Sequence, residues 1–227
     1  MSGKVSETGY KELRASTAAI NDFFDRVGPR FYSLWFTLIG YRSSLKHFVR
    51  LNCNRLGVRK DMRILDAGIG TGFLTVSLLK ETPVPLTIVG LDFSSGMLLG
   101  LNRRLTKLGL EGQVKLHLAD MRRMPFANET FDLVVTSAAM EYLPDVSEGI
   151  SECCRVLRPG GKFLFIATRD SFMGKVIAAT WRNKILEPGH VESCMKRAGI
   201  QRVNALRFPW YFPHVNWWGM ALLGEKA

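Results

Sequence analysis

The chain has no apolar run long enough to cross a bilayer, no C-x-x-C pair among its four cysteines, no internal repeat and no low-complexity tract. The first absence excludes a membrane-spanning helix, and the second leaves Cys53, Cys153, Cys154 and Cys194 as thiols of a reducing compartment, with no metal site expected. The hydrophilic opening Met1-Ser2-Gly3-Lys4-Val5-Ser6-Glu7 lacks the apolar stretch of a secretory signal. A cytoplasmic location is therefore expected, and peripheral membrane contact is compatible with it. What is present suffices for one substantial core with appendages: 227 residues, 47% of them hydrophobic and 22% charged.

The densest signal is Ile64-Leu65-Asp66-Ala67-Gly68-Ile69-Gly70-Thr71-Gly72, a short apolar strand running into an acid and a G-x-G-x-G turn, followed by a helical run from Phe73 to Leu79. Glycines at alternate positions let the backbone turn tightly and approach a ligand where a Cβ would clash. A dinucleotide fingerprint is G-x-G-x-x-G without an acid at its mouth, because a pyrophosphate must sit on the helix N-terminus. Here the third glycine comes one residue early and Asp66 precedes the first. That carboxylate repels a diphosphate and suits a ligand carrying an ammonium and a sulfonium. The cofactor so indicated is S-adenosylmethionine, released as S-adenosylhomocysteine. A second apolar strand, Leu86 to Leu91, ends in Asp92, placed to accept from a ribose diol. A third, Val114 to Ala119, ends in Asp120-Met121, a carboxylate for the adenine amino group beside a thioether for the ring face.

Three successive strands ending in an acid resemble the class I S-adenosylmethionine-dependent methyltransferases. The resemblance continues through Phe131 to Asp145, similar to that family's fourth strand and following loop, and through Arg155 to Ile166, similar to its helix, Pro-Gly-Gly turn and fifth strand. It is strongest over residues 60 to 170. It implies an α/β fold with a Rossmann-like, doubly wound sheet of seven strands, the last antiparallel. It also implies that Asp66, Gly68, Gly70 and Gly72 line the methionine end of the cofactor, that Asp92 binds the ribose, and that Asp120 and Met121 hold the adenine. Phe93 and Met97 then flank the other adenine face, and Ser137 and Ala138 offer backbone groups near the cofactor's amino group. Taken singly, Phe93, Met97 and Met121 are of kinds that ordinarily pack in cores, whereas a carboxylate ending a buried strand is rarely idle.

The net charge of +11 divides unevenly, as +7 over residues 1 to 64, −1 over 65 to 170 and +5 over 171 to 227. In this fold the flanking segments cover the substrate side. A basic rim there favours an anionic substrate, an acidic membrane surface or RNA; the plainer alternative is a solvated basic surface. After Gly28-Pro29, residues Phe31, Leu34, Trp35, Leu38 and Ile39 recur at helical spacing while Tyr32 and Phe36 leave that stripe. One aromatic face is then available to the core and another to substrate or lipid. A further helix is expected from about Ser44 to Leu56, with basic residues between its apolar ones. The string Phe24 to Tyr32, with Tyr41-Arg42 and a helix leading into the first strand, is similar to the lead-in of the ubiquinone and menaquinone C-methyltransferases. Members of that family methylate a ring carbon of a prenylated quinol precursor. The chain departs from their pattern at Phe31-Tyr32, at Met140-Glu141-Tyr142 and at Thr168-Arg169. Residues 1–60 are accordingly read as a helical cap over the substrate site and 61–227 as the methyltransferase domain, with an inserted helix at about 170–186.

Downstream, a helix is expected from His190 to Ala198 after an interruption at Glu187-Pro188-Gly189. Strands Arg202 to Phe208 and Trp217 to Leu223 then form a closing antiparallel pair around the aromatic loop Pro209 to Asn216. Methyl transfer from a sulfonium is a direct displacement, so a protein must align the acceptor and, for some acceptors, remove a proton. Tyr32, Glu141, Tyr142, His190 and His214 are the candidate bases, with Tyr142 and His190 taken as the catalytic residues. No Asn-Pro-Pro-Tyr-like sequence follows the fourth strand and no Pro-Cys nucleophile is present, which disfavours amino methylation of adenine or glutamine and C5 methylation of cytosine. The expected function is methyl transfer to a small apolar or aromatic acceptor, quinone-like or lipid. The alternatives are RNA methylation, for which no binding module is recognisable, and a non-catalytic S-adenosylmethionine-binding assembly or sensor protein.

Overall fold

The computed structural model describes residue 28 and residues 31–227; the readings made on residues 1–27, 29 and 30, including most of the Phe24 to Tyr32 string, lie outside the described residues. Helix α1 covers residues 31–38 and α2 covers Tyr41–Leu56. An alternation follows: β1 (Arg63–Ala67), α3 (Phe73–Glu81), β2 (Thr87–Asp92), α4 (Ser95–Leu108), β3 (Val114–Leu118), β4 (Phe131–Ser137), α5 (Val146–Val156) and β5 (Leu157–Thr168). The chain closes with α6 (Phe172–Trp181), α7 (Pro188–Arg197), β6 (Asn204–Leu206), α8 (Pro213–Trp218) and β7 (Gly219–Glu225).

The strands form one seven-stranded sheet in the order β3-β2-β1-β4-β5-β7-β6. Neighbours are parallel except at β7, which runs antiparallel to both β5 and β6. The doubly wound sheet with an antiparallel last strand is therefore as expected. Chain progression reverses between β1 and β4, and the carboxyl ends of strands flanking such a reversal leave a crevice for ligand.

Both faces of the sheet are covered, so its strands read as nearly continuous apolar runs. Leu65, Val134, Phe163 and Phe165 point to one core with Ile150 of α5 and Met195 of α7. Their neighbours Ile64, Leu133, Val135, Leu164 and Ile166 point to the other, with Phe48 of α2, Leu78 of α3 and Trp218 of α8. Fully burying one such side chain contributes roughly 1.5–3 kcal/mol, so each layer is held chiefly by this alternation. Helix ends are set by specific residues. Ser94 accepts from the Met97 N–H (3.2 Å) at the start of α4, and Asp145 accepts from the Ser147 N–H (2.8 Å) at the start of α5.

Four local expectations need correction. α2 begins at Tyr41 rather than Ser44, behind Gly40 at φ 75°. Pro188 does not interrupt a helix but opens α7, where a missing N–H and a fixed φ cost nothing. The closing strands are displaced because Pro213–Trp218 folds as α8, which leaves β6 only Asn204–Leu206 and starts β7 at Gly219. The inserted helix is shorter, ending at Arg182 with φ 56°.

α1 is aromatic on two sides. The stripe Phe31, Leu34, Trp35 and Leu38 faces outward, with Leu38 74% exposed, while Phe36 is buried and Tyr32 half-buried. The inward pair packs on Trp181 at the end of α6, with ring centroids 4.8 Å away for Tyr32 and 5.4 Å for Phe36. At the far end of α1, His214 Nε2 lies 3.1 Å from the Ile39 carbonyl oxygen, so α8 and α6 both hold this helix.

Candidate active site

The loop after β1 is shaped by its glycines. A Cβ on Gly68 (φ 77°) would lie 2.3 Å from the Ala139 Cβ and 2.7 Å from the Met121 Cε, and one on Gly72 (φ 71°) 2.5 Å from Leu101 Cδ1. The loop is tied to the end of β2: the Gly68 and Ile69 N–H groups both donate to the Leu91 carbonyl, at 2.8 and 2.9 Å. Asp92 completes the tie by accepting from the Gly70 N–H on Oδ2 (2.8 Å) and from the Ser94 N–H on Oδ1 (2.9 Å). Asp66 accepts from the Thr75 hydroxyl at 2.6 Å.

Burial controls the electrostatics of these acids. It pushes Asp66 up to about 7, aided by repulsion from Asp92 and opposed by the Thr75 hydroxyl. Burial likewise pushes Asp92 up to about 6 against the N–H donors of Ser94, Gly70 and Phe93. A cation entering between them favours their ionised forms.

A cavity opens at the carboxyl ends of β1, β2 and β4, under α1 and the start of α2, about 650 Å³ with the open solvent at its mouth included. Asp66, Gly68, Gly70, Asp92, Phe93, Met97, Met121, Ser137, Ala138 and Tyr142 all lie on its wall. Ala138 holds φ 51° there, its N–H donating to the Ile166 carbonyl at 3.0 Å.

Three expected residues are not on the wall. Gly72 caps α3 behind the loop, against Leu101. Asp120 is captured locally: Arg122 donates from Nε to both carboxylate oxygens (3.1 and 2.9 Å) and from Nη2 to Oδ2 (2.6 Å), and its backbone N–H donates to Oδ1 (2.8 Å). His190 is exposed on α7, 3.7 Å from Cys194 Sγ, because α7 packs on α5 and so carries it away from the cavity. It is not placed to act on a ligand there.

The wall also holds residues that sequence reasoning did not assign to it. Tyr41 shares a 2.7 Å hydrogen bond between its hydroxyl and that of Ser137, and Ile69, Thr71, Phe73, Leu74, Ser94 and Ala139 are also part of the lining. Tyr32, a candidate base of the expected pocket, does line the wall from α1, and the Tyr142 hydroxyl donates to the Trp181 carbonyl (3.3 Å). Burial pushes all three phenols well above their ordinary value, so they stay neutral. The one available signal was that Tyr41 falls on the buried stripe of α2, four residues before Leu45.

The donor set fits S-adenosylmethionine. A glycine cradle that a single Cβ would fill and a buried acid at the end of each of two adjacent strands match an amino-acid tail joined to a ribose. Apolar Phe93, Met97 and Met121 match a flat base. Among the described residues no cluster of metal-ligating side chains occurs.

Residues 64–161 match a family model described as a methyltransferase domain. Among curated proteins, the chain is 29% identical to a demethylmenaquinone methyltransferase of Lactiplantibacillus plantarum over 66% of this chain and 62% of that one. It is 34% identical to the ubiquinone/menaquinone biosynthesis C-methyltransferase UbiE of Geobacter sulfurreducens over 65% and 57%. The chain thus spans about three fifths of the length of these relatives. Among solved structures, a geranyl diphosphate C-methyltransferase from Streptomyces coelicolor A3(2), in complex with Mg²⁺, geranyl diphosphate and S-adenosyl-L-homocysteine, superposes with a TM-score of 0.65 at 16% identity, over 79% of this chain and 78% of that one. The YcgJ protein from Bacillus subtilis gives 0.66 at 14% identity, over 79% and 98%. With its reversal-point cavity and glycine cradle, the chain carries a methyltransferase domain on a class I fold and resembles the S-adenosylmethionine-dependent ubiquinone/menaquinone C-methyltransferases.

Proposed function

We propose that the protein transfers the methyl group of S-adenosylmethionine to a small apolar or aromatic acceptor, quinone-like or lipid. The observation that carries this is that the aromatic and apolar side chains of Tyr32, Tyr41, Tyr142, Phe73 and Leu74 line the same cavity as Asp66 and Asp92. The names of the quinone-methylating relatives support the same acceptor class. In this reading Asp92 holds the ribose, Asp66 faces the charged amino-acid end, and Phe93, Met97 and Met121 enclose the adenine. When bound, the cofactor supplies a methyl group already activated on a sulfonium. The protein's part is alignment and exclusion of water, by residues 1–60 acting as a cap and by α6 as the insertion that backs it.

The outer stripe of α1 supports a peripheral position on an anionic membrane, from which such an acceptor would enter. Phe172, 82% exposed, and Trp210, 85% exposed, add uncovered aromatic surface on a chain of net charge +11. No helix of the described residues is long and apolar enough to cross a membrane.

The test is incubation with methyl-labelled S-adenosylmethionine and a cell extract, separated into lipid, small polar, RNA and protein fractions, with Asp66→Ala as the blank. Label in the lipid fraction with the intact protein alone is the expected result, and label in RNA alone refutes it.

A further inference from the structure

Glu141 is only 1% exposed, in the short turn Met140–Tyr142 that follows β4. Its Oε1 accepts from the Thr168 N–H at the end of β5 (2.8 Å), while its Oε2 is buried with no hydrogen-bond partner. Asn183 shows the same imbalance on the same residue. Its Nδ2 donates to the Thr168 hydroxyl (3.4 Å), and its Oδ1 is buried without a donor. Two orphaned acceptors around Thr168 are costly unless a proton or a donor reaches them.

The surroundings show where a proton would come from. Tyr32 on α1, Tyr41 on α2 and Tyr142 beside Glu141 all feel its charge, and all three line the cavity. The nearest cation in sequence, Lys184, turns its ammonium to the Pro144 carbonyl (2.6 Å) while its own N–H donates to the Glu141 carbonyl (3.0 Å). Arg169 and Arg182, next to Thr168 and Asn183, are exposed. Asp66 and Asp92 are engaged by Thr75, Gly70 and Ser94 at the cofactor end.

We propose that Glu141 holds the proton given up by the methyl acceptor, and that the acceptor therefore carries a hydroxyl; this rests on the methyl-transfer reading above. The acceptor's O–H bond breaks and its electron pair stays on oxygen, which forms the new bond to the methyl carbon as the C–S pair remains on sulfur. The proton passes by way of the Tyr142 hydroxyl, which gives up its bond to the Trp181 carbonyl, to the unpartnered Glu141 Oε2, and leaves to solvent before the next turnover. Glu141 is a positioning residue in this scheme, acting through Tyr142 rather than touching the acceptor. Burial sets it at about 7, against the Thr168 donors, where a carboxyl both takes and returns a proton near neutrality. The phenols, pushed up by burial, relay the proton but do not keep it.

The experiment uses the full chain, Glu141→Gln and Glu141→Asp, with 1,4-naphthohydroquinone as the probe acceptor under anaerobic conditions. Gln keeps Oε1 for the Thr168 N–H, and unchanged S-adenosylmethionine affinity establishes that the variants are folded. Infrared difference spectra should show a protonated-carboxyl band that titrates near pH 7 and vanishes in Glu141→Gln. Methyl transfer by the parent protein should fall tenfold per pH unit below about 7. Glu141→Gln should lose that limb and roughly 10²–10⁴-fold in kcat at little change in KM, with partial recovery in Glu141→Asp. A pH limb that survives in Glu141→Gln, or the absence of the titrating band, overturns the proposal. A titrating band with no methyl transfer to the probe by the parent protein overturns instead the hydroquinone-type acceptor.

Discussion

Cofactor affinity should depend steeply on pH, in a direction fixed by the two buried acids. Without ligand, Asp66 sits at about 7 and Asp92 at about 6 because burial penalises their charge. A ligand bearing an ammonium and a sulfonium binds the ionised forms, so below these values binding must first remove protons. Between pH 5 and 7.5, Asp66 alone makes the affinity rise roughly 50- to 100-fold, about 2.5 kcal/mol, since each pKa unit is worth ~1.4 kcal/mol. Asp92 adds up to about another factor of ten at the acid end. Isothermal titration of S-adenosylmethionine at pH 6, in two buffers of different ionisation heat, should show roughly 1.4 protons released per site, about 0.9 from Asp66 and about 0.5 from Asp92. Asp66→Asn should flatten most of the slope. An affinity that is level across this range, with no proton release, would refute the assignment of Asp66 to the cationic end. The same groups bear on stability with a defined sign. Their folded values are raised above the unfolded ones, so the stability they contribute is present at acid pH and is lost as pH rises through about 6 to 7. The ligand-free protein should therefore melt higher at pH 5 than at pH 8, and the cofactor should narrow that gap.

Gly68→Ala should abolish S-adenosylmethionine binding in titration calorimetry while leaving the circular dichroism spectrum intact, since its Cβ would lie 2.3 Å from the Ala139 Cβ at a φ of 77°. Gly224→Ala tests the sheet instead of the site. Its Cβ would meet Ile200 Cγ2 at 2.2 Å and Met195 Cε at 3.1 Å, so urea unfolding should report a loss of ~1–3 kcal/mol with cofactor affinity per folded molecule unchanged. Arg155→Ala should cost about 2–3 kcal/mol on the same assay, because Arg155 donates to Glu152 and to the Met124 and Phe126 carbonyls and so closes the loop before β4. Raised amide exchange confined to residues 122–130 would accompany that loss.

The cofactor half was legible because its chemistry is local. An acid at a strand end, a G-x-G-x-G turn and a following helix sit within a dozen residues, and the sheet order follows from strands that alternate with helices. Asp120 shows the limit of that logic: the strand-end acid is where it was expected, but Arg122, two residues on, takes both its oxygens. The aromatic side of the cavity was poorly legible for a different reason. On α1 the more regular apolar stripe faces outward and the pair that leaves it, Tyr32 and Phe36, faces in. A helix apolar all round carries no periodic signal that says which face meets the core. Trp217 and Trp218 likewise suit a strand by composition, and only the Pro213 start turns them into the end of α8.

The last residues of β5 are where three separate pieces of chain are fastened. The Thr168 N–H goes to the Glu141 turn, its carbonyl accepts from Leu186 (3.3 Å), and the Arg169 N–H donates to Trp218 at the end of α8 (2.8 Å). Two consecutive residues thus act as a keystone: a change within α6 or α8 loosens one stone of the vault, whereas a Pro at 168 or 169 would free the adjoining pieces together. Substitutions in the helices on either side each disturb one of these ties, while these two positions carry the mechanical load of all three.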